Sequence, residues 1–533
     1  MKTLAVQLLI FLFLVFHKEG KSVLAQQNSL KGQVEKVSFS IPKTLYFPGE
    51  KIWIEAEVEL GNDPSPSQVL YAELVDAQNN TLDYVKIPLS SGKALNFFKI
   101  KSSIPSANYL LRVYTRISPY LDLEMGVAQQ FITIINPALP PKNQGELKSS
   151  LVPEPVVSLI QSKAFGNILK VPQGEIEAMG ISIANPFLPA EQVQLSSAEL
   201  YSSLKSHEFY PELFGHIVEV KIPNPDPNST FFLSVHGKQS ALYTDMPDSE
   251  GNLIYDIGGL KNWDRMIIQL ENGAEMPGIQ VESPTIRTKF RSDVQFPALN
   301  LSEQDLPNLE KLLKAALVEA YYKEVYELDS MEIVTGFVAD YTYNLDDYTR
   351  FEDVETVLRE YVPSVLVRTR DKRKEFRLLD EAAKKQFDAN PLILVDAMPV
   401  FDSDLLAGFN PKFMQRLEVL NREFYLNERN YPGVLSWTSY ENNFGLFPLA
   451  PSARFFDYIG LQPRVVMDQD QFSQPSKQEK LPDWRTVLYW QNKYNDLSQV
   501  QAPELEGLFV LWVRAKDSSG KTQLQRTYFR IQP

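Results

Sequence analysis

The chain has 533 residues, a formal net charge of −14, no cysteine and four histidines. That charge opposes a nucleic-acid backbone or an anionic lipid surface, either of which asks for a basic footprint. The missing cysteines exclude disulfides, thiolate metal sites, a cysteine nucleophile and a lipid carried on an N-terminal cysteine.

In chain order, Lys2 precedes an apolar stretch, Leu4–Phe16, that is too short to span a bilayer and reads as the core of a secretory signal. Residues 1–25 are the expected signal peptide, with cleavage after Val23-Leu24-Ala25. No later apolar run reaches the roughly 18 residues of a membrane-spanning helix. The mature chain is therefore expected to be exported without a transmembrane segment, to the periplasm, the outer membrane or the cell surface.

In KIWIEAEVEL, Lys51–Leu60, Ile52, Ile54, Ala56, Val58 and Leu60 alternate with Trp53, Glu55, Glu57 and Glu59, the pattern of a half-buried strand. Pro48-Gly49 ahead of it suits a type II turn. VLYAELVD (69–76), NYLLRVYT (108–115) and QFITIIN (130–136) continue a series of short strands, as in an antiparallel β-sandwich. The runs TLYFPGEKIWIEAEV, VLYAELVD and PSANYLLRVYT resemble the macroglobulin-type domain of alpha-2-macroglobulin-like and related bacterial envelope proteins, over Val34–Asn136. Relatives usually carry glycine where this chain has Ala107. The resemblance implies a sandwich over residues 26–136 and nothing of that family's thioester chemistry, which needs a cysteine.

Five prolines between Asn136 and Pro155 mark a semi-rigid linker, 137–155. Runs such as FFLSVHG and NLIYDI point to a second sandwich over 156–295. From Ser302 to Leu328, Leu309, Leu312, Leu313, Ala316, Leu317, Ala320 and Tyr321 recur at helical spacing, capped by Ser302 with Asp305 or by Asp305 alone, so 296–345 reads as a helical connector. A second helix is predicted over Phe351–Val362, with Thr349 and Glu352 forming a capping box and Phe351, Val354, Val357, Leu358, Tyr361 and Val362 on one face. A strand at Val365, the segment NPLILVDAMPVFD (390–402), a helix-like PKFMQRLEVL and YPGVLSWTSY follow. This order resembles the plug domain of TonB-dependent outer-membrane receptors over 346–440, with Ala397 where the family's turn has glycine. The residues after Tyr440 are too few for a receptor barrel of about 22 strands. Two alternating strands around Ser518-Ser519-Gly520, with LPDWRTVLYW, read instead as a small C-terminal β-module over 441–533. The whole resembles exported Gram-negative proteins that combine macroglobulin-like and plug-like domains without a barrel. The expected fold class is thus multidomain and mainly β: tandem β-sandwiches, an α/β plug-like domain and a C-terminal β-module.

Candidate chemistry is sparse. His207-Glu208 begins a zincin-like pattern, but Pro211 stands where the second histidine belongs. Gly520-Lys521-Thr522 copies the end of a phosphate loop, yet Ala515 replaces the first glycine and a strand follows, so a hairpin turn is expected. Asp346-Asp347 suits a turn or cap, and Asp396 suits side-chain bonding to backbone at a strand end. Asp245, Asp248, Glu250 and Asn252 around Gly251 form either a weak calcium loop or a plain hairpin loop. Trp53, among glutamates on the polar face of its strand, is either a sugar platform or packed beneath the neighbouring domain. No catalytic, cofactor or metal site emerges. The expectation is a non-catalytic cell-envelope protein that binds a protein partner or an outer-membrane assembly. The alternative is a glycan- or nutrient-binding accessory of a TonB-dependent outer-membrane transporter. A concave, aromatic-lined pocket would mark the second, and a flat apolar patch the first.

Overall fold

Lys51–Leu60 forms a ten-residue strand whose inner face, Ile52, Ile54, Ala56 and Val58, is fully buried. It enters from the expected turn: Gly49 has φ 90° and the Glu50 amide donates to the Phe47 carbonyl at 3.2 Å, a backbone that glycine adopts without strain. The computed structural model describes residues 32–141, 153–160, 171, 175–189, 196–205, 210–276, 278–322, 327–328, 337–380, 383–427, 429–467, 482–492, 497, 500–516 and 522–532. The signal-peptide stretch and most of the linker lie outside them. Mainly β and multidomain, the chain divides into two units: Met1–Leu213 with Thr285–Asp329 and Pro463–Pro533, and Phe214–Pro284 with Ser330–Gln462.

The first unit opens with the expected sandwich. Glu35–Ser40, Lys51–Leu60, Asp63–Pro64 and Lys93–Lys99 form one sheet, and Leu45–Tyr46, Ala128–Ile134, Ala107–Thr115, Val69–Val75 and Thr81–Pro88 form the other. Val37, Ile52, Ile54, Leu70, Ala72, Val113 and Ile132 meet between them. Val69–Val75 is buried on both faces. Its outward side chains therefore need partners. Glu73 receives the Arg112 guanidinium through Nε at 2.6 Å and Nη2 at 2.9 Å, and the Tyr114 hydroxyl at 2.8 Å. Arg112 also donates to Thr288 Oγ1 at 2.9 Å, the Ile286 carbonyl at 3.3 Å and the Tyr201 hydroxyl at 3.5 Å, tying distant segments to the sheet.

The serial domain boundaries beyond residue 155 do not match the strand pairing. Val157–Ile160 and Glu175–Ile183 join the C-terminal strands in one sheet, in the order 157–160, 522–532, 507–516, 175–183, 487–491. The C-terminal strands are thus partners of the segment expected to begin a second sandwich, not a separate module over 441–533. Edge hydrogen bonds force this: Glu175–Ile183 is apolar and buried over most of its length, so both of its edges must be paired. Strands Ile217–Lys221 through Gln280–Val281 belong instead to the second unit, in two sheets of which one also takes Arg454–Asp457. The predicted connector is a core element as well. Helix Leu306–Tyr322 buries Leu309, Leu312, Ala315 and Ala316 against Met179, Leu488, Phe509 and Phe529. It stops short of the expected Leu328, since Glu327–Leu328 pairs as a strand with Val465–Val466. Leu317, expected on its apolar stripe, faces solvent.

In the second unit a mixed sheet runs in the order 341–344, 414–420, 434–439, 392–395, 398–399, with Leu392–Val395 parallel to Val434–Ser439. Two segments of this unit differ from the expected local structure. PKFMQRLEVL is a single 3-10 turn, Pro411–Phe413, followed by strand Met414–Leu420. A bulge between Met414 and Arg416 shifts the alternation, so the buried Met414, Leu417 and Val419 are spaced three and two apart and mimic a helical period. The helix is Val354–Tyr361, capped by the Asp353 carboxylate accepting from the Thr356 amide at 2.7 Å rather than by a Thr349–Glu352 box. Its stripe is as expected, with Val354, Val357, Leu358 and Val362 in the core. Leu358 is 0% exposed, so Leu358→Ala is expected to lower stability by about 2–5 kcal/mol. An unchanged urea midpoint would contradict that burial. Among the described residues no sheet closes on itself, and no helix is long and apolar enough to cross a membrane.

Candidate functional site

Asp396 and Ala397 form the two-residue link between Leu392–Val395 and Met398–Pro399, with φ 47° and 65°. Both central residues of such a turn sit in the left-handed region, where Asp-Gly is preferred and alanine is strained. The turn aims the Asp396 carboxylate inward. One oxygen accepts the Ser439 amide at 2.7 Å; the other accepts the Ser439 hydroxyl at 2.6 Å and the Phe444 amide at 2.7 Å. The expectation of a strand-end carboxylate bound to backbone is met, and its effect is to clamp one loop. Ala397→Gly is expected to raise stability by about 0.5–1 kcal/mol by relieving the turn. A urea midpoint that does not rise would show that the methyl contacts outweigh the strain.

The clamped loop carries the conspicuous surface of this unit. Asn442, Phe444 and Leu446 have φ of 55°, 69° and 67°, three non-glycine residues in left-handed backbone within five positions, around Gly445 at 53°. Such strain persists only where surrounding contacts over-determine it. Leu446 is 77% exposed, Tyr440 47% and Phe413 43%. They are neighbours: the Tyr440 amide donates to the Phe413 carbonyl, and a side chain at Gly445 would press on that same carbonyl. Arg350 braces the outer end. It donates to the Met414 and Pro411 carbonyls at 2.6 and 3.1 Å and to the Tyr440 hydroxyl at 2.6 Å, and pairs with Asp346. Hydrogen bonds from Tyr440 and Arg350 hold the Asp346 carboxyl below its usual range, while that carboxylate pushes the Tyr440 phenol up. Asp346 thus braces a loop.

Beneath the loop lies His236, whose ring meets Phe444 at 4.6 Å. Its Nε2 is 2.9 Å from Ser234 Oγ and its Nδ1 is 3.2 Å from Ser240 Oγ. Burial, with Arg265 adding to it, lowers the imidazole to about 3. Serine, histidine and aspartate share this core, yet the Asp396 oxygens are spent on Ser439 and Phe444 and the histidine is enclosed. The arrangement stabilises a loop and lacks an accessible nucleophile.

The other candidates separate. Trp53 is 7% exposed and packs edge-on to Phe97 beside Val465, Val487 and Trp490, the buried alternative. Asp248 accepts the Glu250 and Asn252 amides at 2.9 and 2.8 Å, and Asp245 accepts the Met246 and Ile254 amides at 2.9 and 2.7 Å. Burial pushes Asp248 up, but those amides, the Asn252 side chain and Lys221 outweigh it and hold the carboxyl low. That is a hairpin loop in which the Asp245 and Asp248 carboxylates are occupied by local donors. His207, Glu208, Gly520 and Lys521 lie outside the described residues; Lys516 and Thr522 on either side of the latter pair as an antiparallel hairpin. In the first unit a cavity of about 1000 Å³ is lined by Glu55, Glu57, Glu177, Lys93, Arg514 and Lys516 among others. Within it Lys516 pairs with Glu177 at 3.2 Å and Lys93 with Glu57 at 3.7 Å, and Phe39 is the aromatic residue of its lining.

Sequence patterning alone does not point to the exposed loop. Its signal is the run Glu441-Asn442-Asn443-Phe444-Gly445-Leu446, turn residues interleaved with large apolar ones.

No family model matches the chain, and no curated protein does. Solved structures similar to it include Salmonella alpha-2-macroglobulin reacted with methylamine, at 8% identity over 94% of this chain with a TM-score of 0.16. Trypsin-activated alpha-2-macroglobulin from Escherichia coli aligns at 8% identity over 94% of this chain and 42% of its own, with a TM-score of 0.21. The chain spans 23% of the Salmonella protein's length.

Proposed function

We propose that the chain is a non-catalytic cell-envelope protein that binds a protein partner or an outer-membrane assembly through the face of Phe413, Tyr440 and Leu446. The carrying observation is the clamped loop: buried hydrogen bonds to Asp396 hold strained backbone in a form that leaves a large leucine in water. Neither feature stabilises the isolated chain, and a partner that covers Leu446 supplies the missing burial. The envelope location rests on the signal-like stretch Leu4–Phe16 and on the resemblance of the first sandwich to macroglobulin-type domains. In the same reading residues 346–440 are a plug-like fold used for recognition in place of gating.

The test is a photo-crosslinking residue at position 446, activated in intact envelopes. A discrete adduct is expected, and Leu446→Ser in a chain carrying the crosslinker at Tyr440 should abolish it. Because Leu446 is exposed, that substitution should change stability by no more than about 0.5 kcal/mol. An undiminished adduct would sink the proposal, and a lone monomer that binds sugars on a glycan array would turn it to the accessory reading.

A further inference from the structure

Strands Val365–Arg370 and Arg373–Asp380 form a hairpin in which Arg370 lies directly opposite Arg373 and Arg368 opposite Glu375. Side chains two apart or directly opposite share a face, so Arg368, Arg370 and Arg373 stand together. Glu375 does not neutralise them: it is taken by Arg377 at 2.6 Å. Arg368 reaches Gln386 Oε1 at 2.5 Å, a neutral partner, and the exposed Arg370 lies 3.9 Å from the still more exposed Asp371. At the tip Asp371 and Lys372 have φ of 48° and 65°, the turn that prefers glycine second, and Lys372 occupies that place. Residues 368–374, RTRDKRK, thus hold five basic side chains and one acidic one in a chain of net charge −14.

These choices work against stability. Like charges directly opposite on a strand pair repel, and lysine in left-handed backbone is strained. A hairpin selected only to fold would carry neither. We infer that the Arg368–Arg370–Arg373 face of this hairpin is a binding site for an acidic, carboxylate-rich segment of a protein partner. The inference rests on the reading that the chain binds a protein, and it adds the chemistry of that protein's surface. Guanidinium groups match carboxylates in paired hydrogen bonds, and three on one face offer repeated forks along an extended acidic strand. A lipid surface fits less well. The tip has no large apolar side chain to enter a bilayer, and a flat anionic layer would repel the acidic remainder of the molecule, whereas a peptide meets the tip alone.

The experiment measures fluorescence anisotropy of a labelled peptide of alternating Glu and Asp, about ten residues long, against the mature full-length chain. Binding that weakens with added salt is expected, and Arg370→Glu with Arg373→Glu should weaken it at low salt by about tenfold or more. The single variant Arg370→Glu places opposite charges across the strands, so its melting temperature should hold or rise while its peptide affinity still falls, which separates lost binding from lost fold. Equal affinity for wild type and double variant would overturn the inference. So would co-sedimentation with phosphatidylglycerol-containing vesicles, sensitive to the same variant, without peptide binding. Leu446→Ser should leave peptide affinity unaltered. Loss of the envelope adduct in that variant, with peptide binding intact or absent, therefore reports on the two proposals separately.

Discussion

Replacing Arg112 with methionine is expected to lower the stability of the first unit by about 3–5 kcal/mol. The substitution keeps most of the side-chain volume, so the loss is electrostatic. Glu73 is 0% exposed, and without the guanidinium its carboxylate would retain hydroxyl donors, from Tyr114 and Thr81, but no cation. A buried charge with hydroxyl donors alone keeps much of its desolvation penalty. The lost bonds to Thr288 and Ile286 also release the segment that covers this face of the sheet. Urea denaturation followed by tryptophan fluorescence measures the effect. The double variant Arg112→Met with Glu73→Leu should recover a large part of the loss, because an apolar pair can replace a buried ion pair at little net cost. A single variant within about 1 kcal/mol of wild type would show that water reaches Glu73.

Acid is expected to destabilise the second unit through His236. In the unfolded chain this imidazole takes up a proton near pH 6.5, whereas the folded one resists until about pH 3. Between those values the unfolded state binds more protons, so stability is full above pH 6.5 and is lost as pH falls toward 3. The shift corresponds to roughly 4–5 kcal/mol across the window. His236→Gln should flatten the dependence while keeping polar groups for Ser234 and Ser240. Denaturation midpoints of the two proteins between neutral and mildly acid pH decide it; parallel curves would mean that other groups carry the acid response.

The local pattern was legible wherever one face of an element is buried and the other is not. Lys51–Leu60 and the stripe of Val354, Val357 and Leu358 were readable because a pleat or a helical turn sorts apolar from polar residues within a few positions. Pairing was not legible. Glu175–Ile183 shows its strand character in nine residues, but nothing in them names Gly507–Lys516 as the partner. The bulge beside Arg416 turned a strand into an apparent helix for the same reason: one extra residue rewrites the period without changing composition. At the candidate site Asp396 was readable as a carboxylate bonding to backbone. The backbone it holds lies more than forty residues away, and its strain is a property of φ, not of residue type.

The interleaving of the two units has a kinetic consequence. In the first unit Glu175–Ile183 finds its partners only in strands Val487–Gln491 and Gly507–Lys516, after the whole second unit has been made. Closing so long a loop costs more conformational entropy than a hairpin does, and pairings of such separation form slowly. During synthesis the edges of Glu175–Ile183 therefore wait unpaired, and helix Leu306–Tyr322 lacks its C-terminal partners Leu488, Phe509 and Phe529, which exposes apolar surface to aggregation or chaperone capture. The second unit also receives its last strand, Arg454–Asp457, late, but the mixed sheet around Trp437 is complete by Ser439. Maturation should thus proceed from the inserted unit outward, with the sheet built on Glu175–Ile183 locking last.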